Sequence, residues 1–438
     1  MLTIHGAVST FIDETTEMSG ELCFADGVVS EPGSGPTAES TPERLNASGC
    51  VVTPGLVNAH HHLLQTAFRT LPGTRGVAMA TWLPTMAAAY SAVGIDPELA
   101  HAAATAGLAE SLLSGVTTVA DHHLTWPSGC DSVGIASATA AAAAELGARA
   151  VFVRGSARDD AEEAAVSAEA IVAALVPGAQ HGIRADGMLQ VAIGPAGVHS
   201  DSPETFRLFG ELAERYGLRR RTQANEQVDV VIALEKYGRR PLDLLDEWGW
   251  LAPDVTLAHL CDVTPDEIAR LAASGVTGTH APACDLPMGW GIAPVAALRA
   301  AGITVGLGTS GGGSNDAGHL LADARLAMQI APLVGPPIAA REILGMATKG
   351  SALGLGRPEL GSLALGDAAD ACVWDVSGVA DAAVADPIAG LLWASPGRRP
   401  KHVIVAGRVV VRDYRLVAHD ERAIAIGLED LLASRLTE

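Results

Sequence analysis

The chain has 438 residues, 48% of them apolar and 18% charged, enough for one large catalytic barrel with an appendage and far too apolar for a disordered or fibrous class. Lys and Arg total 29 against 50 Asp and Glu, a formal charge of −21, which repels phosphate backbones and anionic lipid and argues against nucleic acid or a membrane surface as partner. The six cysteines (Cys23, Cys50, Cys130, Cys261, Cys284, Cys372) form no CxxC pair, and no basic segment followed by an apolar one comes after Met1, so reduced thiols in a cytoplasmic protein are expected.

The first fifty residues hold short alternating pieces (LTIHGAVST, ELCFADGVVS, SGCVVTP) broken by a Gly/Pro/Ser/Thr-rich stretch from Pro32 to Pro42, the pattern of short antiparallel strands and loops. A regular alternation of apolar, β-branched runs with Ala-rich helical segments follows, with strands expected to end near His62, His123, Ala157, Gly197, Glu226, Cys261, Cys284 and Gly312. Helices are predicted at PELAHAAATAGLAESLLSG, SPETFRLFGELAERYG and TPDEIARLAASG, the last opening on a Thr that can cap it. The apolar stretch from Gly134 to Val153 carries Glu145 and Arg149 and reads as a buried helix followed by a strand, not a membrane span. Eight βα repeats argue for an α/β fold of the (β/α)8 TIM barrel type, and the absence of GxGxxG after the first strand argues against an open doubly wound sheet. In the tail, ADACVWDV from Ala369 and HVIVAGRVVVRD from His402 read as strands, before a helix from about Asp420. Neither end is large enough for its own core, so residues 1–54 and 367–438 are expected to build one composite β-sandwich beside a 55–366 barrel.

Barrel active sites gather at strand C-termini. In VVTPGLVNAHHHLLQ, alternation sends His60 and His62 to the same side, into the barrel mouth, and His61 away. Two imidazoles on one face can clamp a divalent cation, and His259, closing LAHLC, would complete a three-nitrogen site with water in the fourth position. His280, in GTHAPAC, is either a substrate contact or a ligand; His122 and His123 end the second strand, as loop histidines or site residues. His5, His101, His181, His319, His402 and His419 converge on nothing and are taken as structural or surface residues.

VNAHHHLLQ, GVTTVADHH, TLAHLC, MGWGIAP, GTSGGGSND and MATKGSALGLGRPELGSLALGDAADACVWD together resemble the amidohydrolase superfamily, most closely its branch of triazine hydrolases and 8-oxoguanine and related aminoheterocycle deaminases. The likeness runs over nearly the whole chain and implies a barrel holding one metal ion, usually zinc, beside a β-sandwich built from both termini. The implied reaction is hydrolytic removal of an amino, chloro or similar substituent from a small nitrogen heteroaromatic, by a water that the metal activates. Glu226, in RTQANEQ, matches the family's proton donor, and a carboxyl beside such a water can relay a proton if its pKa is lifted. Gln65 matches a substrate-contacting Gln, and His280 and His123 are carried as a catalytic and a substrate-contacting residue. Met79, Trp82, Met86, Met288 and Trp290 are expected to line a slot for a flat ring. A homodimer is implied by analogy alone.

Two positions depart from the pattern: a ligand His on the fifth strand is Gln223, and the eighth-strand Asp is Ser310, where the triazine hydrolases also carry a hydroxyl residue. A Gln amide oxygen is a weak neutral ligand and a serine hydroxyl is no resting base near neutral pH. Arg221 shares the parity of Gln223 and would bring a fixed positive charge to the same interior. Two readings follow: a metal-dependent hydrolase held together by His60, His62, His259 and Gln223, with Ser310 orienting the water; or a metal-free barrel, either a lyase, isomerase or cyclase or a binding protein for a planar ligand.

Overall fold

The computed structural model describes residues 1–32 and 43–437, so the expected loop from Pro32 to Pro42 lies, but for its first residue, outside the described residues. Its centre is a curled parallel sheet in the order of the chain: Leu56–His62, Val116–His123, Arg149–Ser156, Leu189–Pro195, Arg220–Ala224, Val255–His259 and Thr277–His280, then an eighth strand in two pieces, Val305–Leu307 and Ser310–Gly311. The last piece pairs in parallel with the first strand, Ser310 opposite His61 and Gly311 opposite His62, which closes the barrel. Strands buried on both faces read as continuous apolar runs, and Val116–His123 and Arg149–Ser156 are buried at every residue. Between strands four and five the ladder shrinks to one pair, Ile193 with Arg220. There the two backbones press together: a Cβ on Gly194 would stand 1.5 Å from the Arg221 carbonyl oxygen, so only glycine fits.

The predicted helices form as Pro97–Leu113, Ser132–Leu146, Pro203–Tyr216 and Pro265–Ser274. Asp96, Asp131, Ser202 and Thr264 accept from the first-turn N–H groups, and Thr264 with Glu267 makes a reciprocal capping box. The seventh strand stops at His280, short of the expected Cys284, because Pro282 cannot donate to a ladder and instead opens the helix Pro282–Met288. That places Cys284 and Asp285 in a helical first turn at the barrel mouth.

The chain ends supply two smaller sheets. One holds Val28–Ser30, Leu22–Ala25, Leu2–His5 and Glu43–Asn46; the other joins both termini, Cys50–Pro54 pairing antiparallel with Ala371–Asp375. Leu2, Ile4, Phe24, Val52, Val373 and Ile404 pack between them. Arg149 grips Asp370 with two hydrogen bonds, 2.7 and 3.0 Å, tying the base of the third barrel strand to this layer. At the opposite end of the barrel, the turn Leu63–Phe68 and the helix Met79–Val93 fold across the mouth, where Trp82 Nε1 donates to the Gly313 carbonyl at 3.0 Å. Among the described residues no helix is long and apolar enough to cross a membrane.

Candidate metal centre and substrate cavity

Alternation along the first strand delivers what the sequence expects. His60 and His62 stand side by side in the barrel, ring centroids 4.9 Å apart, while His61 turns outward to Thr309 Oγ1 at 2.9 Å. His259, at the end of the sixth strand, brings its ring centroid to 5.2 Å from that of His60. All three are buried.

Their hydrogen bonds set which nitrogen is free. His62 Nδ1 donates to the His122 carbonyl at 2.6 Å, and His259 Nδ1 donates to Asp285 Oδ1 at 2.6 Å, so in both rings the lone pair resides on Nε2. Burial would raise the Asp285 pKa, but His259 and His280 outweigh it and hold the carboxyl down at about 2, ionised. Around His259 Nε2 lie two further acceptors, Gln223 Oε1 at 3.1 Å and Glu226 Oε1 at 3.6 Å. His60 Nε2 and both Glu226 carboxyl oxygens are buried without a hydrogen-bond partner among the described residues. Lone pairs brought this close in a dry interior repel one another unless something positive lies among them. Three imidazole nitrogens and one amide oxygen match a tetrahedral N/O zinc site, so the residues present fit the ion that the resemblance implies.

Burial, reinforced by the neighbouring imidazoles, pushes His60 well below the ordinary histidine range and lowers His62 to about 4 and His122 to about 3. The rings are therefore neutral, the form that ligates a metal. Glu226 is driven the other way, well above the usual carboxylate range, by burial and then by the carboxylates of Asp229 and Asp285, so it holds a proton it can give away.

One nitrogen, one sulfur and one oxygen of His259, Cys284 and Asp285 also lie within 4.8 Å of one another. Asp285 is already engaged by His259 Nδ1, and the Cys284 thiol, pushed up by burial, donates to Ser314 Oγ at 3.3 Å. These two side chains back the His259 ring and belong to the same centre. The sequence reading missed them; the signal was Pro282, which ends the strand and starts a helix.

A cavity of about 710 Å³ opens over the centre, its wall including His62, Gln223, Glu226 and Ser310. Met79, Trp82, Met86, Met288 and Trp290, the residues expected to line a slot, all line this cavity, and Gln65 stands in its wall with them. Gln65 is fixed by accepting from Gly313 N at 3.1 Å, and Ser310 Oγ lies 3.5 Å from Ser314 Oγ on a residue whose φ is +54°. Two expected contacts lie elsewhere. His123 packs on Trp126, centroids 4.5 Å apart, bonds Thr125 O at 3.1 Å and is not part of the cavity wall; its neighbour His122 is the one whose ring approaches His60, at 5.9 Å. His280 is likewise absent from the wall and has Asp285 Oδ2 as its polar neighbour, at 3.6 Å from Nδ1. Arg221 does enter the barrel interior, fully buried, but its Nη2 donates to the Ala59 carbonyl and its head does not separate the histidine rings.

The amidohydrolase family profile matches residues 51–410. The chain is 34% identical to the 8-oxoguanine deaminase of Pseudomonas aeruginosa, covering 92% of each chain. It is 32% identical to a 5-methylthioadenosine/S-adenosylhomocysteine deaminase of Halobacterium salinarum, over 87% of this chain and 86% of that one. Among solved structures it superposes on the atrazine chlorohydrolase of Arthrobacter aurescens complexed with zinc with a TM-score of 0.90, at 34% identity, over 99% and 100% of the two chains.

Proposed function

This chain belongs to the amidohydrolase family, and from that premise we propose that it is a zinc-dependent hydrolase removing an amino, chloro or similar substituent from a nitrogen heteroaromatic ring. The observation that carries this reading is the convergence of buried polar atoms on one point: His259 Nε2 lies 3.1 Å from Gln223 Oε1 and 3.6 Å from Glu226 Oε1, and His60 Nε2 has no hydrogen-bond partner among the described residues. His60, His62, Gln223 and His259 would hold one zinc, which when bound acidifies a water and polarises what it touches. The metal-free alternative leaves the buried His60 Nε2 lone pair uncompensated.

The chain's own side chains supply the rest. Gln65, Trp82, Met288 and Trp290 hold the flat ring, and burial of the cavity floor excludes bulk water. Glu226, protonated, delivers its proton to the ring nitrogen or leaving group, and Ser310 Oγ orients the attacking water. His280 acts through Asp285 as a positioning residue for His259 and does not touch substrate. His123 acts at one further remove, by supporting Trp126. The activity is taken to reside in a cytoplasmic homodimer that binds no nucleic acid, the charge of −21 and six unpaired cysteines supporting the setting. Residues 1–54 and 367–438 are proposed to form the β-sandwich domain beside the 55–366 barrel.

Elemental analysis of the purified protein, paired with ammonia and chloride release from a panel of aminopurines, aminopteridines and substituted triazines, tests the reading. One zinc per chain and hydrolysis of at least one ring are expected. Protein that neither retains metal nor gains activity on adding zinc, manganese, iron or cobalt would end it.

A further inference from the structure

The cavity wall is chemically lopsided. The helix Met79–Val93 gives it an apolar side, whereas the loops after the third and fourth barrel strands contribute Arg158, Asp159, His199 and Ser200. These two loops are locked to each other by one buried carboxylate. Asp201 accepts from Ser156 Oγ at 2.6 Å, Ser200 Oγ at 2.6 Å, Ala196 N at 3.2 Å and Arg158 N at 3.4 Å. Arg158 sits there with φ at +70°, a left-handed conformation unusual for a long side chain, while its guanidinium has no hydrogen-bond or ion-pair partner among the described residues. Arg154, the cation nearby, is spoken for by Asp159 at 2.7 Å, which also removes the one acid adjacent to Arg158 from competition.

His199 completes the arrangement. Its ring lies over Gly197, where a Cβ would come within 2.7 Å of Nδ1, so the glycine makes the slot that admits the imidazole. Nδ1 is enclosed with no partner among the described residues. An unpartnered lone pair in that position costs less than an unpartnered N–H, so the proton resides on Nε2, the nitrogen left to meet a molecule in the cavity. The ring stays neutral because burial, the Arg158 charge and the His259 ring lower its pKa to about 4.

We propose that Arg158 and His199 form a second subsite of this cavity, two donors that take an acceptor-rich, negatively charged edge of the heteroaromatic substrate, such as an ionised ring oxo group. This rests on the cavity being the hydrolytic site. It assigns the substrate to oxygenated, acidic heterocycles and away from rings bearing only neutral alkylamino groups, which offer the exposed, solvated guanidinium no acceptor to pair with.

The test uses zinc-loaded full-length protein, aminopurines and aminotriazines each with and without a ring oxo group, and ammonia release as the readout. Calorimetric binding of a trioxopurine, which has no amino group to lose, is measured alongside. The ratio of kcat/KM between oxo and oxo-free members is expected to exceed about tenfold and to fall by about tenfold in Arg158→Ala and in His199→Phe, the size of a lost charge-assisted hydrogen bond, with Arg158→Lys partly restoring it. Ammonia release with a ratio near one, or a ratio that neither variant moves, overturns the subsite and leaves the hydrolytic reading standing. No release from any ring, combined with trioxopurine binding that Arg158→Ala weakens about tenfold, upholds the subsite and overturns the hydrolytic reading. Neither release nor binding overturns both.

Discussion

Asp285→Asn removes one negative charge from behind His259 while keeping the side-chain shape. In the native protein Asp285 Oδ1 lies 2.6 Å from His259 Nδ1 and Oδ2 lies 3.6 Å from His280 Nδ1, both contacts fully buried. Burial alone would lift the carboxyl above its ordinary 3.8, yet the imidazoles bring it to about 2. That net preference for the ionised form corresponds to about 2 kcal/mol. An asparagine oxygen still accepts from Nδ1 but as a neutral partner, which keeps about half of a charged hydrogen bond. The His259 ring becomes a poorer electron donor, and zinc affinity should fall by about tenfold to a hundredfold, as for carboxylates behind other ligating histidines. Asp285→Ala should do worse, because it leaves the Nδ1–H without an acceptor at a further cost of about 1–3 kcal/mol. Competition against a chelator of known affinity reads both variants. Wild-type zinc affinity in Asp285→Asn, or an alanine variant no weaker than the asparagine one, would refute the claim that this carboxylate tunes His259.

Glu226→Gln preserves size while removing the proton donor, so kcat should drop by about 10²–10⁴ with zinc content unchanged; a loss of zinc in step with activity would place Glu226 in the metal cage instead. Gln223→His exchanges a weak amide oxygen for an imidazole nitrogen and should tighten zinc in the same chelator competition, whereas no change would remove Gln223 from the ligand set. For metal-free protein the histidines set an acid limit: the folded values of His62 and His122 are about 4 and 3 against 6.5 unfolded. The unfolded chain therefore takes up more protons in that window; the stability is complete above pH 6.5 and is lost as pH falls toward 4. A melting temperature that stays level between pH 7 and 4.5 would contradict it. Trp82→Ala, at a residue 8% exposed, should destabilise by about 3 kcal/mol and raise KM, measured by thermal melting and steady-state rates.

The barrel was legible because its strands are buried on both faces and so appear as unbroken β-branched runs between helices with capping residues in place. The histidine pair was legible for a simpler reason: a period of two decides the side of His60 and His62 without any tertiary knowledge. The same rule, applied to Val116–His123, selects His122 with Ala120 for the interior and sends His123 outward, which is where the expectation for His123 went astray. Asp285 was hidden by a strand drawn too long; Pro282 had already marked its end. His199 lies past the end of its strand, where no period constrains a side chain and only the neighbouring Gly197 hinted at a close approach.

The charge balance of the site accounts for how Gln223 and Ser310 can coexist in it. The proposed ligands His60, His62, His259 and Gln223 are all neutral side chains, so a dication seated among them would meet one ionised carboxylate, Asp285, and that one across an imidazole. Glu226 and Asp229 are both driven above the usual carboxylate range by burial and by other acids, and contribute little negative charge. Arg221 adds a buried positive head, with Nε and Nη1 unpartnered among the described residues, and burial lowers its pKa only to about 9, leaving it protonated at neutral pH. With a dication bound, the centre would therefore be net positive, in an interior where little water screens it. An acid at position 310 would accept a proton from the attacking water but would also neutralise part of that field. A serine there gives up the proton acceptor and keeps the field, which stabilises charge developing on an electron-poor ring and draws in a substrate that already carries some. Arg158, exposed at the cavity wall and without an ion-pair partner among the described residues, extends the same field outward. On this balance Ser310→Asp should weaken the preference for oxygenated rings even though it restores the more usual proton acceptor.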